Sequence, residues 1–252
     1  MLIKNINLHI RRFEFKYLVS ERDLDKIRKS ISNFVTLDPY AKLQKREYYQ
    51  VSSLYLDDIN LSSYYEKLAG LKYRKKFRIR VYDEFVKDDT RAYLEIKKRD
   101  ETIIFKDRVA LNVQTARDVL ENGRYQDLPS LAENDNEFVG QFLSKRLMPT
   151  VLLSYKREAY LDERNSNFRL TLDQDIHAKR AFGIDFDVEN TNRISKGFAV
   201  VEAKFNHIMP AWFGMIIKLH NLSRVAFSKY CFSLESCGIV SKTELPFFEP
   251  WI

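Results

Sequence analysis

The sequence predicts an α+β fold: a closed antiparallel β-barrel of about eight strands, forming a tunnel with a charged interior and flanked by helices. Three observations predict it. Strand-like segments follow one another across short turns, each segment carries one apolar and one charged face, and amphipathic helices need an apolar surface to cover.

The segments run at 11–18, 47–57, 72–84, 90–99, 102–112, 149–162, 167–176 and 197–205. The first helix is signalled by Ser20-Glu21-Arg22-Asp23, a capping box, and continues through Leu24, Ile27, Ile31 and Phe34 or Val35 at helical spacing. Weaker helical patterns lie at 115–122 and 134–147, with two more from Pro210 to His220 and over 224–236. No Gly/Ser/Pro-rich linker and no repeat divides the 252 residues, so one domain over 1–252 is expected.

Successive strand side chains point to opposite faces. Lys76, Arg78, Arg80 and Tyr82 therefore share one face, against Phe77, Ile79 and Val81 on the other. Tyr93, Glu95, Lys97 and Arg99 oppose Leu94 and Ile96, and Lys106 and Arg108 oppose Phe105 and Val109. Glu14 and Lys16 alternate with Phe13, Phe15 and Tyr17; Tyr155 and Arg157 share a face. Arg169 sits between Phe168 and Leu170, while Glu202 and Lys204 alternate with Val201, Ala203 and Phe205. Taken strand by strand, such charges are the solvent face of an ordinary half-buried sheet. The helices argue otherwise. If the capped helix and the 210–236 region cover the apolar face from outside, the charged face points inward.

An interior of mostly Lys and Arg is unfavourable when empty, because like charges ~4 Å apart repel by about 4 kcal/mol at an effective dielectric of 20. It suits a dense polyanion. Arginine forks and lysine point charges match phosphate oxygens, and a few glutamates match a divalent cation bridging them. The implied ligand is a triphosphate or a longer phosphate chain.

Composition agrees. Apolar residues at 45% and charged residues at 31% exclude a disordered chain, and Gly 7 with Pro 6 excludes a fibrous one. The net charge of +7 permits anionic partners. Cys231 and Cys237 are too few for a disulfide framework and lack metal spacing. His9, His177, His207 and His220 are scattered, and Trp212 and Phe213 read as an apolar helix face beside Met215 and Ile216. The basic run Lys72–Lys76, with Arg74 inside it, reads as a solvated strand end or a tunnel mouth ahead of a nucleic-acid patch. No Walker loop, Rossmann fingerprint or kinase signature is present. The opening MLIKNINLHIRRFEFKY lacks an apolar h-region, and no segment reaches the ~20 apolar residues of a membrane span. A cytoplasmic protein is expected.

The chain resembles the VTC domain, the polyphosphate polymerase domain of the vacuolar transporter chaperone complex and its bacterial single-domain relatives, within the CYTH-like triphosphate tunnel metalloenzymes. The resemblance is carried, in order, by Arg12-Phe13-Glu14-Phe15-Lys16-Tyr17, Ser53-Leu54-Tyr55-Leu56-Asp57, Phe77-Arg78-Ile79-Arg80-Val81-Tyr82 and Leu94-Glu95-Ile96-Lys97. It continues through Tyr155-Lys156-Arg157-Glu158-Ala159-Tyr160, Phe168-Arg169-Leu170-Thr171, Val201-Glu202-Ala203-Lys204-Phe205 and Ser228-Lys229-Tyr230.

The resemblance implies that Lys16, Arg78, Arg80, Lys97, Arg157, Arg169 and Lys229 bind phosphates, with Arg99, Tyr155 and Ser228 in support. Arg78, Arg80, Lys97 and Lys229 are the implied catalytic residues. Glu202 is similar to the glutamate that holds Mn²⁺ or Mg²⁺, with Glu95 and Glu14 placed to assist. The implied reaction passes the γ-phosphate of a nucleoside triphosphate, ATP first among them, to pyrophosphate or a polyphosphate chain.

Two departures qualify this. Arg12-Phe13-Glu14-Phe15-Lys16 stands where CYTH hydrolases carry Glu-x-Glu-x-Lys, which weakens the case for a metal-activated water. No SPX domain or membrane tail is read, so a membrane-protein partner stays open, as does oligomeric state. An inorganic or nucleoside triphosphatase is the nearest alternative, and a non-catalytic polyphosphate-binding protein the alternative of another class. Nucleic acid fits poorly, because the cations alternate beside glutamates and form no aromatic-interleaved surface.

Overall fold

Every predicted strand is present in the computed structural model, which describes residues 13–101, 103–124, 140, 142 and 144–241. The strands are β1 (Phe13–Ser20), β2 (Val35–Leu37), β3 (Tyr49–Asp57), β4 (Tyr73–Val81), β5 (Arg91–Asp100), β6 (Ile103–Asn112), β7 (Met148–Asp162), β8 (Asn165–Arg180), β9 (Asn192–Arg193) and β10 (Phe198–Phe205). Between them lie α1 (Leu24–Ile31), α2 (Pro39–Lys42), α3 (Ser62–Leu68) and α4 (Val113–Leu120), and after β10 come α5 (Ala211–Leu219) and α6 (Lys229–Ser236). β2, β9, α2 and α3 are too short to leave a periodic signal. The helix expected at 134–147 lies mostly outside the described residues, of which 140, 142, 144 and 145 are helical.

The strands form one antiparallel sheet in the order β1-β10-β8-β7-β3-β4-β5-β6, with β2 added on β7 and β9 on β8. Among the described residues no ladder joins β6 back to β1, so the expected barrel is not closed by hydrogen bonds. It curves until its edges face each other. Lys97 on β5 reaches both carboxylate oxygens of Glu14 on β1, at 2.8 and 2.7 Å, and side chains span the seam.

The alternation falls as read. The apolar faces point outward under helices: Phe77, Ile79, Leu94, Ile96 and Val109 pack beneath α4, while Tyr17, Phe168, Leu170, Val201 and Ala203 pack beneath α1 and α5. Burying each of the larger aliphatic and phenyl side chains stabilises by about 1.5–3 kcal/mol. Ser20 caps a short 3-10 turn ahead of α1, whose Leu24, Ile27 and Ile31 are buried at helical spacing. Trp212 stacks on Phe34 at 4.9 Å and donates from Nε1 to Asp162 at 2.8 Å, which makes it a packing residue.

The last helix departs from expectation. Residues 224–228 are not helical, and α6 packs on the inner face of the sheet. Tyr230, Cys231 and Leu234 bury against Tyr55, Val151 and Tyr155, and the Tyr230 hydroxyl donates to Asp57 at 2.6 Å. A helix apolar on one side and headed by Ser228-Lys229 can cover the inner core while turning its polar N-terminus toward the charges. Among the described residues no helix is long and apolar enough to cross a membrane.

Candidate functional site

The inward faces of β1, β3, β4, β5, β7 and β10 meet the N-terminus of α6 around a cavity of about 590 Å³. Among the described residues, twelve Lys and Arg side chains line it against two carboxylates, Glu14 and Glu202. Lys16, Arg78, Arg80, Lys97, Arg99, Tyr155, Arg157, Ser228 and Lys229 all reach it. Residues 213 positions apart are thus gathered by strand alternation and sheet curvature.

Several of these cations are held by nearby acceptors. Arg78 bonds Glu95 through Nε and Nη2 at 2.8 and 2.7 Å and donates to the Tyr55 hydroxyl at 3.3 Å. Arg157 clamps Asp173 with two bonds of 2.6 and 2.7 Å. Lys229 lies 2.5 Å from the same carboxylate and 4.0 Å from Glu202. Lys16 bonds the Phe227 carbonyl at 3.1 Å and pairs with Glu14 at 3.2 Å.

Arg80 differs. It is 6 % exposed, donates to the Ser53 hydroxyl at 2.9 Å and the Tyr155 hydroxyl at 3.3 Å, and has no carboxylate partner among the described residues. A buried guanidinium satisfied only by hydroxyls leaves its charge open to an anion.

The field shifts the neighbouring groups. Burial alone would raise the Tyr55 phenol, but Arg78, Arg80 and Lys76 overcome it and bring it down to about 8. Burial lowers Lys76 to about 8, only partly offset by Cys231 and Tyr55. Burial also lowers Lys204 to about 7 against the pull of Glu202. Glu202 itself, although burial opposes its charge, is held well below the usual carboxylate range by Lys204, Lys16 and Lys229.

Two predicted residues stand elsewhere. Arg169 does not line the cavity: it is drawn aside to Asp38 at 2.6 Å and the Tyr49 hydroxyl at 3.3 Å. Glu95 is fully buried behind Arg78, with Lys106 on its other oxygen, and does not line the cavity either. Sequence reasoning assigned no role to Asp173, Lys76, Lys204 or Tyr55. Lys76 and Lys204 were legible on the charged faces. Asp173 falls in the same alternation as Arg169 and Thr171, yet nothing local signals that Arg157 and Lys229 converge on it.

Among the described residues no group of three or more His, Cys, Asp or Glu side chains is placed to hold a metal. Glu14 and Glu202 lie on the paired strands β1 and β10, and nearby lysines, among them Lys16, hold both below the ordinary carboxylate range against the opposing effect of burial. A Mg²⁺-type ion commonly takes one or two carboxylates and completes its shell with phosphate oxygens. The pair fits that mode. Glu95, committed to two cations, does not.

A model of the VTC domain family matches residues 11–237. No curated protein matches the sequence. Among solved structures, HpAC1 from Hippeastrum, described as an adenylyl cyclase candidate with a dominant triphosphatase activity, aligns with a TM-score of 0.52 at 13% identity, over 90% of this chain and 96% of its own. A candidate adenylate cyclase from Bacillus halodurans gives a TM-score of 0.48 at 16% identity, over 87% and 94%. At such identities the likeness to HpAC1 speaks for the fold alone.

Proposed function

The chain belongs to the VTC domain family, and from that premise we propose that it is a polyphosphate polymerase using a nucleoside triphosphate, ATP first among them. The observation that carries the reading is the cavity itself, with twelve cations to two carboxylates among the described residues. Such a lining repels itself unless phosphates occupy it, and among the described residues the buried Arg80 has no carboxylate to answer its charge.

In this reading a terminal phosphate oxygen of pyrophosphate or of the growing chain attacks the γ-phosphorus in line. The new P–O bond forms as the bond to the β,γ-bridging oxygen breaks, and the electron pair leaves with the nucleoside diphosphate. Little is asked of the protein beyond positioning and charge stabilisation. Arg78 and Arg80 neutralise the transferred group, while Lys16, Lys97, Arg157 and Lys229 hold the flanking phosphates. Tyr155 and Ser53 fix the Arg80 guanidinium, and Arg99 receives the chain toward the Arg74 end. Glu202, with Glu14 beside it, would hold Mn²⁺ or Mg²⁺, which supplies positive charge at the phosphate oxygens when bound. Arg169 serves by bracing Asp38 and not by touching the chain.

The Glu14–Glu202 pair favours a second reading, hydrolysis of a triphosphate, since two carboxylates beside a bound metal could direct a water. The Hippeastrum protein, of similar fold, is described as a triphosphatase. The test is to incubate the protein with ATP and Mn²⁺, with and without pyrophosphate, and to resolve the products by gel and phosphate assay. A polymer ladder with matching ADP is expected. Free phosphate without polymer would select the hydrolase, and no product from a protein that binds polyphosphate would select a binding module.

A further inference from the structure

We propose that Asp173 is a built-in surrogate for a phosphate group, which holds Arg157 and Lys229 in place and competes with the anionic ligand for both. The proposal rests on the phosphate-tunnel reading. Asp173 is fully buried and is gripped by Arg157 Nε and Nη2 at 2.6 and 2.7 Å and by Lys229 Nζ at 2.5 Å. Two donors of one guanidinium and one ammonium, converging on two oxygens, are the arrangement a phosphoryl group would receive from the same residues.

Asp173 itself does not line the cavity, whereas Arg157 and Lys229 do. The carboxylate shares the inward face of its ladder partner Arg157 and is buried beside the two cations, without reaching the cavity surface. It faces Arg157 directly across β7 and β8 and Val200 across β10 and β8. Glu202 is the only other described carboxylate paired with either cation, at 3.6 Å from Arg157 and 4.0 Å from Lys229, too far for the short contacts that Asp173 makes.

Two consequences follow from charge alone. Without ligand, Asp173 removes most of the repulsion between two buried cations and keeps the empty tunnel folded. With ligand, its fixed negative charge opposes every phosphate that approaches the same pair, so it lowers affinity while fixing geometry. A residue that acts this way is a positioning residue, and its loss separates binding from turnover.

The test is Asp173→Asn, which keeps the shape and removes the charge, measured with tripolyphosphate as the probe. Calorimetry without metal or nucleotide should show tripolyphosphate bound about tenfold more tightly than by the unaltered protein. The melting temperature without ligand should fall, and the rise on adding tripolyphosphate should be larger than in the unaltered protein. In turnover, KM and kcat should both drop, a split that general loss of structure does not produce. If Asp173→Asn does not fold alone, its recovery as soluble protein in tripolyphosphate, but not in chloride of equal ionic strength, carries the same prediction. Unchanged or weaker tripolyphosphate binding by the variant, or no rescue, would overturn the proposal. An unaltered protein that binds tripolyphosphate but makes no polymer would overturn the polymerase reading only; one that binds none would overturn the tunnel reading and this proposal with it.

Discussion

Lys97 on β5, one strand in from the β6 edge, reaches across to Glu14 on the opposite edge strand β1, with its ammonium 2.7 and 2.8 Å from the two carboxylate oxygens. The seam, which no backbone ladder closes among the described residues, is thus spanned by an ion pair whose partners also line the cavity. Lys16 pairs with the same carboxylate from its own strand at 3.2 Å. Structure and site share these atoms.

Lys97→Met should therefore cost stability as well as activity. The lysine side chain is 28% exposed and its partner 8%, so the loss is expected between that of a surface and a buried pair, about 1–2 kcal/mol. Urea unfolding of Lys97→Met, Glu14→Gln and the double variant should give a coupling energy of the same sign. Strict additivity would show that the seam is held by something else.

Arg80 should show the opposite balance. Its guanidinium is buried against hydroxyls, so Arg80→Met is expected to leave stability unchanged or raise it by about 1 kcal/mol. Turnover should fall by at least about a hundredfold, as when a transition-state donor is removed. A variant less stable than its parent, or still active, would contradict the role given to this residue.

Glu202→Gln separates the metal role from the fold. Turnover supported by Mn²⁺ or Mg²⁺ should be lost by about a hundredfold or more, while tripolyphosphate binding without metal persists or tightens, since one opposing charge is gone. Glu95→Gln should act differently: it strands Arg78 and Lys106 and is expected to cost stability first. Equal effects of the two substitutions on metal-supported turnover at equal stability would return Glu95 to the metal site.

The buried lysines give the protein a pH signature. Lys204 and Lys76 are lowered to about 7 and about 8, chiefly by burial. Their folded values lie below the unfolded ones, so between about pH 7 and the ordinary lysine range the unfolded chain binds more protons. Stability without ligand should then rise with pH through that window. Polyanion binding needs the charged amines, so tripolyphosphate affinity should fall over the same interval. Melting curves and calorimetry at pH 6.5, 7.5 and 8.5 would check both slopes; parallel slopes would exclude Lys76 and Lys204 as the titrating groups.

How much of this was legible beforehand differs from residue to residue. Arg78 and Arg80 sit two apart in a strand with Phe77, Ile79 and Val81 between them, and a period of two is a local property that any reader of the sequence can extract. The inward direction of that face followed from the helices, whose apolar sides had to cover the other one. Glu14, Glu202 and the strand-borne cations were readable for the same reason, whereas Lys67 and Arg224, which also line the cavity, come from a helix and a loop without that signal.

Which of those charges remain available was not readable, because it depends on strands far apart in sequence. Arg169 and Asp38 are 131 residues apart, and only the addition of β2 on β7 brings α2 beside β8. Glu95 lies opposite Arg78 in the ladder and takes Lys106 diagonally from β6, so its place behind them is a matter of register. Asp173 meets Lys229 because α6 packs inside the curved sheet, a choice made by the burial of Tyr230, Cys231 and Leu234. The sequence alone determined which face each side chain takes, since alternation is set by the backbone of a single strand. Curvature, register and the docking of α6 decided which cations meet carboxylates and which stay open, since pairing energy depends on distances that only the tertiary structure creates.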